Sequence, residues 1–221
     1  MIHALMSAAH QARIRYGKRK TPFLGEVSAA DFITGDALAA AIGLTQGTAQ
    51  HTDAGWLKFK DPVDGHIKFV AKRPLRRALS WNQIHARGAA QGTRTVTING
   101  QTYRVRLLKA LGSLSTGGKT GYDHPDTHGS EWNRLMYHIS GKPFANSNNT
   151  LASEGIDEGD WARYSETDLA MRNTTSGSGG ANWAYEPAHF RGHVGVSYSG
   201  TGPADNTHVN YGWRPVLELV E

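Results

Sequence analysis

The sequence contains no cysteine. Disulfide bridges, thiolate zinc sites and a cysteine nucleophile are therefore excluded. A chain of 221 residues can nevertheless bury a core large enough to fold without cross-links. We expect one large domain, or one domain with a short arm, that depends on packing or assembly for its stability.

Long apolar runs are also missing. No run reaches the roughly 18 residues that a membrane-spanning helix needs, and the basic N-terminus lacks the apolar stretch of a signal peptide. We therefore expect a protein without membrane insertion that is kept in the cytoplasm until assembly or lysis.

Acidic residues are absent from two segments. Residues 1–20 hold five basic side chains and no acid, and residues 66–119 hold eleven Lys or Arg and no acid. The remaining eight basic residues share the rest of the chain with all 19 acidic ones. Such basic segments could bind nucleic acid, and they could equally bind the acidic segments of a neighbouring copy of the chain.

The first 54 residues are interpreted as an N-terminal arm followed by short helices. The arm's basic residues are candidates for docking on a partner, although a flexible tail is the alternative; they are Arg13, Arg15, Lys18, Arg19 and Lys20. Ser28 is expected to cap one helix, and a second short helix is expected between Gly35 and Gly43. This region is assigned to docking or oligomerisation.

Residues 55–221 are interpreted as a second unit. The pattern predicts a hairpin from Trp56–Lys60 and 66–71, a helix over 79–87 with Trp81, Ile84 and His85 inward, and a second hairpin. That hairpin joins 93–98 to 102–108 through Asn99-Gly100. We expect Arg104 and Arg106 on its solvent or inter-subunit face.

The later part of the chain is rich in loops, since most of the 26 glycines lie after position 90. Residues 130–139 have helical core spacing, and 213–220 alternate as a strand that adds to an existing sheet. The fold class predicted from these elements is α+β, a mainly antiparallel sheet with inserted helices and long ordered loops.

The C-terminal third carries a family resemblance. Its motifs are Asn182-Trp183, Arg191-Gly192, Gly195-Val196-Ser197 and Tyr211-Gly212-Trp213-Arg214-Pro215-Val216. This ending resembles C-type-lectin-like domains of the formylglycine-generating and phage-variable-protein type. Arg191-Gly192-His193 replaces that family's Arg-Gly-Gly, and Gly212-Trp213-Arg214 replaces Gly-Phe-Arg.

A longer set of motifs, spread over residues 55–220, resembles a group of phage virion proteins. The set comprises Gly55 to Phe59, Phe69 to Arg76, Ser80-Trp81, Tyr103 to Leu108, Gly129 to Met136 and Gly212 to Glu218. The resemblance implies a virion structural or adhesion protein. It also implies partners among other capsid or tail proteins, a homo-oligomer, and a host-surface glycan or protein as ligand.

Six residues of these motifs are interpreted as scaffold. They are Trp132, Trp183, Gly192, Gly212, Trp213 and Arg214. The tryptophans provide large apolar anchors, and the glycines allow close backbone approaches. Arg214 lies between apolar neighbours, so we expect it to pair with a buried carboxylate, Glu131 or Glu186.

In lectin-like folds the loops before the last strand form the exposed face. Here that stretch is about 193–210, rich in Ser, Gly, Asn, Tyr and His, a composition suited to adaptable polar contact. The candidate ligand-binding residues are Tyr198, Asn206, His208 and Tyr211. An ordinary solvated loop is the alternative interpretation.

Few residues form a recognisable catalytic or metal-binding motif. Without cysteines the chain cannot perform formylglycine generation, and it lacks the oxygen-ligand motifs of calcium-dependent lectins. Two metal-capable loops are interpreted as polar loops by default: Asp123, His124, Asp126 and His128 in one, and Glu154, Asp157, Glu158 and Asp160 in the other. No cofactor or metal is predicted.

Three functions remain open at this point. The first is a non-enzymatic bacteriophage virion surface protein, either a head decoration or fibre or a tail adhesin, located in the virion. The second is a DNA-binding protein that uses residues 66–119. The third is a hydrolase of bacterial glycans that uses Glu131 or Glu186.

Overall fold

The computed structural model describes residues 22–112, 121–122, 129–137, 139, 168–169, 181–192, 196 and 198–220. These residues form two sheets and three short helical segments. The segments are α1 (Gly35–Ala41), α2 (Trp81–His85) and a π-helical turn (Asn133–Tyr137). The predicted α+β class and the mainly antiparallel pairing are confirmed, but the strands form two sheets where a single sheet was predicted. The five basic residues of the arm lie outside the described residues.

The first sheet has six strands in the order β1-β3-β4-β13-β7-β6. Its strands are β1 (Phe23–Val27), β3 (Trp56–Lys60), β4 (Ile67–Ala71), β6 (Gln91–Ile98), β7 (Gln101–Leu107) and β13 (Pro215–Leu219). All of its neighbouring pairs are antiparallel. Residues before 55 therefore contribute a strand to this sheet through β1.

The second sheet has seven strands in the order β2-β5-β12-β9-β10-β11-β8. They are β2 (Thr48–Ala49), β5 (Arg76–Arg77), β8 (Gly121–Tyr122), β9 (Ala181–Trp183), β10 (His189–Arg191), β11 (Tyr198–Thr201) and β12 (Tyr211–Trp213). Only the β12–β9 pair is parallel among the pairs of this described sheet. All seven strands are short, with two to four residues each.

The two predicted hairpins are confirmed. β3 pairs with β4, and β6 pairs with β7. At the second turn Asn99 has φ 50° and Gly100 has φ 77°, the left-handed values that an Asn-Gly turn supplies. The pattern of residues therefore identified the paired strands and the second turn.

The predicted final strand over 213–220 becomes two strands. β12 ends at Trp213 in the seven-stranded sheet, and β13 begins at Pro215 in the six-stranded sheet. The chain thus crosses from one sheet to the other at Arg214. β13 does add to an existing sheet, as expected, and it lies centrally between β4 and β7.

The central strands of the six-stranded sheet, β3, β4 and β13, are buried on both faces. Along β3, Trp56 belongs to a large core shared with the second sheet, whereas its neighbour Leu57 belongs to a separate core under residues 132–139. The prediction that Arg106 faces solvent or another subunit is therefore wrong. Arg106 points into the second core region and is 4% exposed, whereas Arg104 is exposed, as predicted.

Two local details differ from expectation, and a third agrees with it. Ser28 does not begin a helix: its hydroxyl bonds Asp31 in a turn, and Thr34 caps α1 instead. His85 is exposed and stacks on Trp81, because α2 ends at that residue. Ser80 caps α2 as predicted, with Gln83 completing a capping box.

Candidate functional site

The described loop before β12, residues 202–210, is organised by its own polar side chains. Asn206 Oδ1 accepts a hydrogen bond from the His208 amide at 2.9 Å, and His208 Nδ1 accepts one from the Asn210 amide at 3.3 Å. The Tyr211 amide donates to the His208 carbonyl at 2.9 Å. Asn206, His208 and Tyr211 therefore lie together, as the candidate ligand surface requires.

A layer of stacked aromatic rings lies beneath this loop. The Tyr211 ring stacks on Trp183 with centroids 4.4 Å apart, and its edge meets Phe190 at 5.4 Å. Tyr198 stacks on the same Phe190 at 6.3 Å. We call Tyr198, Tyr211, Phe190 and Trp183 the aromatic layer; it brings the two candidate tyrosines onto one support.

Two glycines let the rings approach this closely. A Cβ atom on Gly200 would lie 2.5 Å from the Phe190 ring, and one on Gly202 would lie 2.9 Å from the Tyr211 hydroxyl. Neither distance is compatible with an added side chain without displacement. The spacing of these glycines therefore shapes the aromatic layer.

The loop is tied to rigid parts of the fold. Gly202 donates its amide hydrogen to the Ala188 carbonyl at 2.9 Å, and the Ala204 carbonyl accepts from the Asn82 amide at 2.9 Å. Burial, followed by the nearby Tyr198, raises the pKa of Tyr211, so its phenol stays protonated at neutral pH. The face thus offers a hydroxyl that both donates and accepts, on a fixed frame.

The predicted tryptophans are buried, in keeping with a scaffold role. Trp132 Nε1 donates to the Val196 carbonyl at 2.8 Å, and Trp183 Nε1 donates to the Leu79 carbonyl at 2.6 Å. Trp213 is fully buried in the large core.

The predicted glycines occupy buried backbone positions. Gly192 adopts φ 82°, which favours glycine. Gly212 lies on β12 between Arg77 of β5 and Asn182 of β9.

Arg214 is fully buried where the chain crosses between the sheets. It donates to Asn182 Oδ1 at 3.4 Å, to the Lys72 carbonyl at 3.1 Å and to the Leu169 carbonyl. Burial and the nearby Arg73 lower its pKa to about 9. The predicted pairing with Glu131 or Glu186 is wrong, because both carboxylates are bound elsewhere.

Glu131 lies in a buried ion network that sequence reasoning missed. Its carboxylate takes two hydrogen bonds from Arg106, at 2.7 and 2.6 Å, and contacts Lys68 Nζ at 2.7 Å. Lys68 also contacts Asp61 at 2.6 Å, and Arg106 also contacts Glu218 at 2.6 Å. These five side chains are called the ion network.

The ion network holds its charges by mutual pairing. Burial alone would raise the pKa of Glu131, but Arg106 and Lys68 outweigh it and hold that pKa well below its usual range. Arg134 and Lys68 likewise outweigh the burial of Asp61 and lower its pKa. One sequence signal was available: Lys68 and Glu218 interrupt strands that are otherwise apolar.

Both acids of the hydrolase hypothesis are bound by other groups of the chain. Glu131 is 2% exposed, and its oxygens are occupied by Arg106, Lys68 and the Lys109 amide. Glu186 accepts from the Ala110 amide at 2.8 Å. Both carboxylates make structural contacts.

No family model matches this chain, and no match was found among curated proteins or solved structures.

The acid-free segment 66–119 pairs with carboxylates from elsewhere in the same chain. Besides the ion network, Lys72 contacts Glu26 at 3.0 Å and Arg104 contacts Glu218 at 3.2 Å. Arg76 lies 3.8 Å from Asp36. Charges that are segregated in sequence are thus interleaved in the fold, which lowers the net positive charge that this segment presents to solvent.

The described part of the chain holds no group of three or more His, Asp or Glu side chains that could bind a metal ion. The loops of 123–128 and 154–160 lie outside the described residues. Within the same described ranges, no helix is long and apolar enough to cross a membrane.

Proposed function

We propose that this protein is a non-enzymatic surface component of a bacteriophage particle. Residues 55–221 would form a C-type-lectin-like domain whose 202–210 loop is presented to a ligand on the host surface. The motif set over 55–220 supports this proposal.

The observation that carries the proposal is the position of Tyr211. Its ring is part of the aromatic layer, and its amide bonds the His208 carbonyl that Asn206 helps to position. Rigid aromatic groups beside adaptable polar groups are typical of recognition surfaces, because little conformational entropy is lost on binding. The ligand class that fits is a host-surface glycan or protein.

Attachment to the particle is assigned to the basic side chains of residues 1–20, within the N-terminal segment 1–54, with other capsid or tail proteins as partners and a homo-oligomer as the assembled form. Binding of several copies to one cell surface would raise avidity without any new contact. Multivalency of this kind is compatible with a face whose single-site affinity is modest.

The particle assignment is tested on purified virions. Mass spectrometry of particles from a gradient should find the chain at a copy number that matches a symmetric ring or lattice, and cryo-electron microscopy should show its two-sheet density at the particle surface. Absence of the chain from infectious purified particles would overturn the assignment.

The ligand face is tested with Tyr198→Ala, because Tyr198 is half-buried at the end of the aromatic layer. Purified chain carrying this change should bind host cells at least tenfold more weakly. Val63→Ser is the matched control, since Val63 is 70% exposed in the β3–β4 turn. Equal binding by the two variants, with circular dichroism unchanged, would remove the face from the proposal.

Nucleic acid is the alternative partner. The pairing of Lys68, Lys72, Arg76, Arg104 and Arg106 with carboxylates of the same chain disfavours it. Gel-shift titrations, begun at low salt and repeated at rising salt, distinguish nucleic acid from a host-surface ligand. DNA binding that weakens steeply as the salt concentration rises would favour the nucleic-acid alternative.

A further inference from the structure

A small polar cleft lies away from the aromatic layer. It has a volume of about 190 Å³ and is lined by His51, Asp53, Ala54, Lys72, Arg73 and Asp168. Pockets for drug-sized ligands measure about 300–1,000 Å³, so this cleft suits a smaller molecule. Its lining is charged and hydrogen-bonding, which favours a polar occupant.

Arg73 is held so that its terminal nitrogens remain available. Its Nε donates to the Asp168 carbonyl at 2.8 Å, which anchors the guanidinium at one edge. In the described part of the chain its Nη1 and Nη2 atoms make no hydrogen bond, whereas the neighbouring Lys72 contacts Glu26. A planar guanidinium fixed by Nε is suited to two-point binding of a carboxylate or phosphate.

His51 faces the same cleft from a strained backbone. Its φ of 47° lies in the left-handed region that few non-glycine residues adopt. Burial, then Arg73 and Arg214, lower the pKa of His51 and outweigh the opposing effect of Asp53. The positive potential from the two arginines favours an anion, and the neutral imidazole offers one N–H donor.

We propose that this cleft binds the oxyanion group of a small sugar derivative, either a sugar carboxylate or a sugar phosphate. The Nη atoms of Arg73 hold two oxygens of the anion, and His51 donates to the same group. Asp53 at the rim accepts from sugar hydroxyls, which a bare inorganic anion lacks. The proposal concerns a site separate from the aromatic layer and does not depend on the particle assignment.

The experiment is a titration of the full chain followed by NMR of the His51 imidazole, assigned with His51→Gln. The probes are glucuronate, glucose 6-phosphate and neutral glucose. At least one anionic probe should shift the His51 resonance and raise the pKa of His51, because a bound anion stabilises the imidazolium. A carboxylate-only or phosphate-only response supports the site and identifies the group.

Arg73→Gln should weaken binding of the anionic probe at least tenfold. Arg73→Lys should weaken that binding by an intermediate factor, because lysine keeps the positive charge but lacks the two-point hydrogen-bonding geometry of a guanidinium. Arg77→Gln is the matched control, because Arg77 is an exposed arginine on β5 outside the cleft. It should change binding less than twofold.

Three results would overturn the proposal. They are an unmoved His51 resonance with both anions, equal binding of glucose, or equal losses for Arg73→Lys and Arg77→Gln. The wild-type titration and the lysine variant keep the test decisive if Arg73→Gln fails to fold.

Discussion

The guanidinium of Arg106 donates two hydrogen bonds to the carboxylate of Glu131, from Nη1 to Oε2 at 2.7 Å and from Nη2 to Oε1 at 2.6 Å. Arg106 lies on β7, and Glu131 lies just before Trp132 and the π-helical turn that covers the sheet. The pair therefore links the six-stranded sheet to the segment that covers it, and both side chains are buried.

Glu131→Gln is expected to destabilise the fold by about 3–5 kcal/mol, because it leaves Arg106 and Lys68 buried without a full counter-charge. Urea unfolding measures the change. Glu26→Gln is the control: Glu26 is exposed and pairs with Lys72, so its loss should be below about 1 kcal/mol. Equal losses would contradict a special role for the buried pair.

Stability should fall in acid. The pKa values of Glu131, Asp61 and Glu218 are lowered in the folded state. Groups with a lowered folded pKa contribute stability above their unfolded pKa, near pH 4, and lose it as pH falls towards the folded pKa. Melting temperatures measured from pH 7 to pH 2 should therefore drop most steeply below about pH 5.

In Glu131→Gln that acid-side slope should be shallower, since one of the three lowered carboxylates has been removed. A melting curve series that is as steep as for the unchanged chain would show that Glu131 does not contribute to the acid response.

Gly200→Ala tests the aromatic layer. The added Cβ would meet Phe190 at 2.5 Å and Tyr198 at 3.1 Å, so the rings must move and stability should fall by about 1–3 kcal/mol. NMR signals of Tyr198 and Tyr211 should shift. In Gly65→Ala, where nothing lies within 4 Å of the new atom, backbone strain alone should cost about 1 kcal/mol and those signals should stay.

Arg214→Lys tests the crossing point between the sheets. Lysine cannot reach Asn182, the Lys72 carbonyl and the Leu169 carbonyl together, so buried acceptors lose their donor and about 2–3 kcal/mol of stability should be lost. Arg77→Lys, at an exposed position, should change stability by less than about 0.5 kcal/mol. A similar effect of the two changes would argue against Arg214 as a linker.

The hairpins were predictable because their signals are local. Alternation in Trp56–Lys60 and the Asn99-Gly100 turn each act over a few residues. The hydrogen bonds that join Asn206, His208 and Asn210 are likewise local, since each spans two residues.

The ion network could not be predicted in the same way. Lys68 and Glu218 are 150 positions apart in sequence yet lie opposite one another in register, because β13 inserts beside β4. Arg106 was placed at the surface because alternation identifies two faces of a strand without saying whether the second face is covered. His51 and Arg73 are also distant from one another in sequence and form no local motif, so the cleft could not be predicted from the sequence.

By itself the sequence determined the class of the fold, the two hairpins, the capping of α2 and the absence of cysteine chemistry, because each depends on residue type or on neighbours along the chain. Only the tertiary structure decided that the basic segment is balanced by carboxylates of the same chain, that Arg214 joins two sheets, and that four aromatic rings support the loop. Those features depend on strand order and on burial of both sheet faces, which bring distant residues into contact.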